Sequence, residues 1–163
     1  MKRVLFVFLS ACVLWTCSKE PADVKLVSFT DTGCGNEVME LQTKSVDDIA
    51  SQLFLEYSPE GLVVTRTNAQ MNCGIKNGGI ACDVSVDGNV IRMHVYEKGE
   101  KMRCMCPVRK MSSTIAGLGL GKDYVLDYYC GDAKYGPFEF RYEKGFKQLI
   151  DDIDVYRWYT DAF

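Results

Sequence analysis

The sequence predicts an all-β fold, an antiparallel β-sandwich with room for one or two short helices. Three observations carry this. Short stretches alternate apolar and polar residues with a period of two, which puts every second side chain of an extended strand on one face. Clusters of Gly, Pro, Asn and Asp punctuate these stretches at the spacing of turns in a sandwich. Six of the eight cysteines lie in the body of the chain, a number suited to bridges between strands.

The chain opens with Lys2 and Arg3, an apolar run from Val4 to Trp15, and Thr16-Cys17 before the polar Ser18-Lys19-Glu20-Pro21. This is the layout of a secretory signal ending at a cysteine. The run is shorter than the about 20 apolar residues of a spanning helix. Residues 1–16 are therefore expected to be a signal peptide, 17–23 a lipidated start and tether, and 24–163 one domain. Leu14-Trp15-Thr16-Cys17 resembles a lipobox, with Cys17 as the lipidated residue; Leu9-Ser10-Ala11-Cys12 is the alternative, which would strand Val13-Leu14-Trp15 on the mature surface. Cleavage before Cys17 leaves 147 residues, enough for a real core. It also takes the balance from 19 basic and 22 acidic residues to 17 and 22, a net charge of −5. That balance excludes a nucleic-acid binder, which needs a basic face against phosphate. The expected location is the cell envelope, with the protein anchored by lipid, at the outer membrane facing periplasm or cell surface.

Along the body, Val24 to Phe29 reads as a first strand, ended by a turn around Gly33-Cys34-Gly35-Asn36. Ser45-Val46-Asp47-Asp48 offers a capping start, and Val46, Ile49, Ala50 and Leu53 fall at helical spacing. Leu53 to Tyr57 and Leu62 to Cys73 read as strands joined by Ser58-Pro59-Glu60-Gly61. Asp87-Gly88 predicts a two-residue hairpin loop that sets Val84 against Ile91 and Cys82 against Met93. Ile80, Cys82, Val84, Ile91, Met93 and Val95 then share the inner face, with His94 between Arg92 and Tyr96 on the outer one. Met102 to Val108 reads as a strand in which Pro107 implies an edge, a bulge or a change of sheet. Turns are expected at Cys130-Gly131-Asp132 and Tyr135-Gly136-Pro137, followed by a strand carrying Phe138, Phe140 and Tyr142. At the end, Phe146, Leu149, Ile150 and Ile153 suit a short helix, while Ile153 to Tyr159 suits a closing strand.

The cysteines carry the most chemistry. With Cys17 lipidated, the disulfide candidates are Cys34, Cys73, Cys82, Cys104, Cys106 and Cys130, which allow 15 pairings. On an extended strand Cys104 and Cys106 point to the same side and reach separate partners, for which Cys34 and Cys73 are preferred. Cys82 and Cys130 are left as a third pair. A bridge closing a loop of about 30 residues adds on the order of 3 to 4 kcal/mol by the chain-entropy argument. The sharper alternative is a Cys-x-Cys thiol-redox or metal site, with Arg103, Arg109 and Lys110 near enough in sequence to lower a thiol pKa. Zinc sites usually bring a second closely spaced pair, which this chain lacks. No metal ligand set, cofactor or catalytic residue is therefore assigned. His94 is the only histidine, so a hydrolytic centre would have to be built on it. Asp151-Asp152-Asp154 lacks the ligand number of a calcium loop and reads as a solvated edge. Tyr128, Tyr129, Tyr135, Tyr156, Trp158 and Tyr159 cluster late in the chain; buried, they are core, and exposed, they suit a glycan or protein ligand.

Ile115, Gly117, Leu118, Gly121, Tyr124, Leu126 and Tyr128 resemble the corner of a fibronectin type III or other immunoglobulin-like sandwich. The resemblance implies that Leu118 plugs the end of the core and that the Tyr124 hydroxyl meets loop backbone. Thr32-Gly33-Cys34, Asn72-Cys73, Cys104-Met105-Cys106 and Ile115 to Tyr128 together resemble a family of Bacteroidetes secreted lipoproteins. Pro107-Val108 departs from the Tyr-Asp that tends to follow Cys-x-Cys there, and Cys82 and Cys130 are peculiar to this chain. That resemblance implies an envelope β-sandwich and no assigned activity. The expected function is a binding or interaction module rather than an enzyme, with the membrane as partner through the lipid. A secreted protease inhibitor presenting the Gly74 to Gly79 loop is a further alternative.

Overall fold

Two five-stranded sheets pack face to face in a computed structural model that describes residues 23–34, 50–72, 79–99 and 105–159. The expected signal, Cys12, Cys17 and the expected tether up to residue 22 lie outside the described residues, as do Cys73, Cys104 and most of the Gly74 to Gly79 loop. The first sheet is built from β1 (Lys25–Asp31), β2 (Gln52–Ser58), β3 (Gly61–Asn72), β6 (Met105–Ala116) and β9 (Lys147–Ile150), in the order β1-β6-β3-β2-β9. The second holds β4 (Ile80–Asp87), β5 (Val90–Glu97), β7 (Lys122–Cys130), β8 (Ala133–Tyr142) and β10 (Arg157–Tyr159), in the order β10-β8-β7-β5-β4. A single 3-10 turn, Ile153–Tyr156, precedes β10. The expected all-β sandwich is thus present. One pairing departs from the antiparallel expectation: β5 and β7 run parallel, because the chain crosses to the other sheet as β6 between them.

The alternation read from sequence is the reason for this packing. Leu53, Leu55, Leu62 and Val64 from one sheet and Ile91, Met93, Val95 and Leu126 from the other are all within 2% of full burial. Each such side chain withdrawn from water contributes roughly 1.5 to 3 kcal/mol before chain entropy is counted. The hairpin from β2 to β3 turns at Pro59-Glu60 as expected, with Ser58 opposite Gly61. In the next hairpin the inner face is the expected one, but the loop is Gly88-Asn89, so Val84 faces Met93 and Cys82 faces Val95. Gly88 alone takes a positive φ there, 62°, as a II′ turn requires of its first central residue. Sliding the pairing by two residues keeps the same side chains inside.

Three other expectations are corrected. Tyr135-Gly136-Pro137 is no turn: it lies within β8, where Gly136 and Pro137 together oppose Asp127 and form a bulge, a place a strand tolerates proline. Of the helical spacing from Val46 to Leu53, residues 46–49 lie outside the described residues, while Leu53 sits in β2 and pairs with Arg66. The segment after Phe146 is not one helix or one strand but β9, the 3-10 turn and β10 in succession.

The corner is formed as the resemblance implied. β6 ends at Ala116, Leu118 packs against the core, and the buried Tyr124 in β7 accepts a hydrogen bond from the Gly119 N–H at 2.8 Å.

Candidate functional site

At one end of the sandwich the sheets part around a cavity of about 420 Å³. Its back wall is Arg66. In β3 the residues Leu62, Val64 and Arg66 share one parity, so the strand that buries two aliphatic side chains also turns a guanidinium inward. Arg66 is only 3% exposed. After it, Asn68 adopts φ 53°, and both β3 and β6 exchange their inward parity with the pairing unchanged: Arg66 faces Met111, then Ala69 faces Val108. Met71 thereby joins the cavity wall.

The guanidinium is held from several sides. Nε donates to Ser51 Oγ at 3.1 Å, and Nη2 donates to Tyr135 Oη at 3.3 Å and to Asp154 Oδ1 at 3.4 Å. Its plane lies over the Tyr135 ring, 4.4 Å from the centroid, with Tyr128 at 5.6 Å. Burial opposes the charge, but the hydrogen bond to Tyr135 favours it and a guanidinium does not give up its proton inside a protein, so the group stays charged throughout the accessible pH range. Nη1 and Tyr128 Oη are both buried and make no hydrogen bond of good geometry among the described residues. Ser51 serves as the hub: its Oγ also donates to Thr67 O, and its carbonyl accepts from the Ile153 N–H at 2.8 Å. With Ile153 fully buried, that bond seats the 3-10 turn and sets Asp154 over Arg66.

The remaining wall comes from both sheets. The Asn72 N–H donates to Glu97 Oε1 at 2.6 Å, joining the end of β3 to the end of β5 across the interlayer gap. Met105, Asp132, Ala133 and Arg157 complete it. The one disulfide among the described cysteines, Cys34–Cys106, lies directly behind: Cys106 pairs with Met71, and the two Cα atoms are 5.7 Å apart, an ordinary bridging separation. Cys34 is one of the two partners expected for the Cys-x-Cys strand. Past the ladder that β1 makes with Met111–Ala116, an isolated bridge between Cys34 and Val108 continues the contact.

The expected Cys82–Cys130 pair is not formed; both thiols are free and buried. Cys82 faces Val95 and Val95 faces Cys130, so the cysteines sit two strands apart on one row, roughly 10 Å at the usual strand spacing and beyond the reach of a bridge. Cys130 Sγ instead contacts Met71 Sδ at 3.3 Å and lines the cavity, while Ser113 Oγ donates to Cys82 Sγ at 3.7 Å. Burial pushes the Cys82 thiol up to about 11 and raises Cys130 as well, which leaves little thiolate for exchange or metal binding near neutrality.

A second recess lies on the outer face of the β4-β5-β7 sheet, between Asp83, Arg92, His94 and Tyr129. His94 is exposed there as its strand parity predicted, with the Tyr96 and Tyr129 rings at 5.3 and 5.9 Å and Gly131 O 3.2 Å from Nε2. Of the late aromatics, Tyr128 and Tyr135 are core, Tyr129 is half-buried and Tyr156 is exposed. Asp151 and Asp152 are exposed, Asp151 accepting from Gln52 Nε2 at 2.8 Å, and Asp154 is the one of the three that meets Arg66. No group of three or more His, Cys, Asp or Glu side chains is arranged to hold a metal among the described residues.

The sequence reading missed Arg66. The signal was available in its parity with Leu62 and Val64, since a charged residue on the buried side of a strand is rare unless paired. No protein-family model, curated protein or solved structure matches the chain.

Proposed function

We propose that this chain is a cell-envelope lipoprotein, anchored by lipid on Cys17, whose sandwich is a non-enzymatic binding module with the Arg66 cavity as its ligand site. The observation that carries the reading is the buried, permanently charged guanidinium at the back of a cavity walled by opposite charges, sulfur and an aromatic face. About half of the lining is polar or charged, which is more polar than most small-ligand sites and suits a small polar ligand. The Cys34–Cys106 bridge supports an oxidising compartment, and the signal-like leader supports export. The Tyr124 corner supports an immunoglobulin-like plan, from which the parallel β5–β7 pair departs.

The thiol-redox alternative has less support, because Cys106 is bridged and the two free thiols among the described residues are buried with raised pKa. A glycan or protein ligand on the outer recess is favoured by one observation, the ring cluster of His94, Tyr96 and Tyr129.

Intact mass of protein taken from its native membrane tests the anchor: an acylated Cys17 with residues 1–16 removed is expected, and an unprocessed or unacylated chain overturns it. Amide shifts on titration with a panel of small anionic, cationic and neutral compounds test the site. Binding is expected to move Met71, Gly131 and Ala133; shifts confined to His94 and Tyr129 transfer the function to the outer face.

A further inference from the structure

Resting on the reading of the cavity as a ligand site, we propose that its ligand carries a carboxylate, and that Asp154 is the built-in competitor the ligand displaces. A guanidinium is a planar fork that pairs best with two oxygens of one planar anion. Arg66 has that fork half used. Nη2 meets Asp154 through one oxygen at 3.4 Å, near the limit of a hydrogen bond, and buried Nη1 makes no hydrogen bond of good geometry among the described residues, although the Tyr128 hydroxyl interacts with the guanidinium. An unpaired buried donor is costly, and more so when charged. A carboxylate that takes the place of Asp154 and closes on Nη2 pairs the guanidinium better than Asp154 does at its present distance.

The surroundings make this exchange easy in one place and selective in another. Asp154 is 49% exposed and stands on a one-turn helix, so it gives up little on returning to water. Arg66 does not move with it, because Ser51 fixes Nε and the Tyr135 ring holds the plane. Met105, exposed on the cavity wall, provides apolar surface for a compact tail. Arg66 and Arg157 face Glu97, Asp132 and Asp154 around the same cavity, a wall without the surplus of positive charge that a doubly charged anion such as phosphate needs, which favours a monocarboxylate.

The test uses the full mature protein with sodium benzoate as probe, benzamide as its neutral isostere, and inorganic phosphate and chloride at matched ionic strength. Benzoate is expected to shift the Met71, Gly131 and Ala133 amides saturably, and the other three are expected not to. Asp154→Asn, which removes the competing charge, is expected to tighten benzoate by about two- to five-fold, the scale of an exposed ion pair. Arg66→Met, if folded by its amide spectrum, is expected to abolish the shifts. The proposal is overturned if benzoate behaves as benzamide in both the parent and Asp154→Asn, or if Asp154→Asn leaves the affinity unchanged or weaker. Should a neutral or cationic compound move the same amides in that case, the cavity remains a ligand site and only the carboxylate assignment is lost. Silence of those amides to every compound overturns both.

Discussion

The Gly119 N–H points at Tyr124 Oη across 2.8 Å, so a residue near the start of β7 fastens the loop that follows β6. The ring stacks on Phe140 at 6.0 Å and is buried, with the hydroxyl as its polar handle. Tyr124→Phe keeps the ring and deletes only the acceptor. It is expected to cost about 0.5 to 1.5 kcal/mol, the net worth of one such bond, as a lower urea midpoint with the slope unchanged. A midpoint equal to that of the parent would show that water serves Gly119 equally well.

The Cys34–Cys106 bridge closes a sequence separation of 72 residues. Chain entropy assigns such a loop about 4 kcal/mol, a large share of what a domain this size holds in reserve. The double variant Cys34→Ser/Cys106→Ser is expected to lose most of that in equilibrium unfolding. Because Cys106 stands opposite Met71, the variant should also loosen the cavity end first, seen as faster amide exchange at Met71 and Asn72 than at Val64. Uniform acceleration along β3 would contradict that local role.

Much of this architecture is legible in the sequence because strand parity is a local property. Phe138, Phe140 and Tyr142 had to face one way wherever β8 lay, and even the shifted hairpin keeps its buried set, since a slip of two residues preserves parity. What depends on the neighbouring strand was not legible. Gly136-Pro137 has the composition of a turn, and only the ladder with β7 makes it a bulge. Cys82 and Cys130 look like a leftover pair until the strand order separates them by β5. Arg66 was the hardest case, because its inward parity was visible while the Ser51, Tyr135 and Asp154 that make burial tolerable come from 15, 69 and 88 residues away.

Gly61 closes the β2–β3 hairpin at φ 146°, and a Cβ built on it would stand 2.2 Å from Ile115 O. No flexible side chain can yield there, since the obstacle is the backbone of β6. Gly61→Ala is expected to cost more than the on the order of 1 to 3 kcal/mol of conformational strain alone, because β3 and β6 must also separate. Thermal unfolding checks this, with Gly88→Ala as comparison: that glycine has a positive φ but open space around it, so it should bear the strain without the clash.

Alkaline pH should be the protein's weak side. Cys82 is pushed from 9.0 to about 11 by burial, and burial likewise raises Cys130, Tyr128 and Tyr135. All four are acids that the fold keeps protonated. Below pH 9 both folded and unfolded chains hold the Cys82 proton, so its contribution is fully present. Between 9 and about 11 the unfolded chain releases that proton while the folded one retains it, and stability falls as pH rises. Unfolding free energy measured in urea is therefore expected to be flat from pH 7 to 8.5 and to decline through 9 to 11. Cys82→Ala should be less stable at pH 7 for the small hole it leaves, yet decline less steeply over the same window. If the slopes of variant and parent coincide there, Cys82 is not among the groups that set the alkaline limit, and the buried phenols and Cys130 carry it instead.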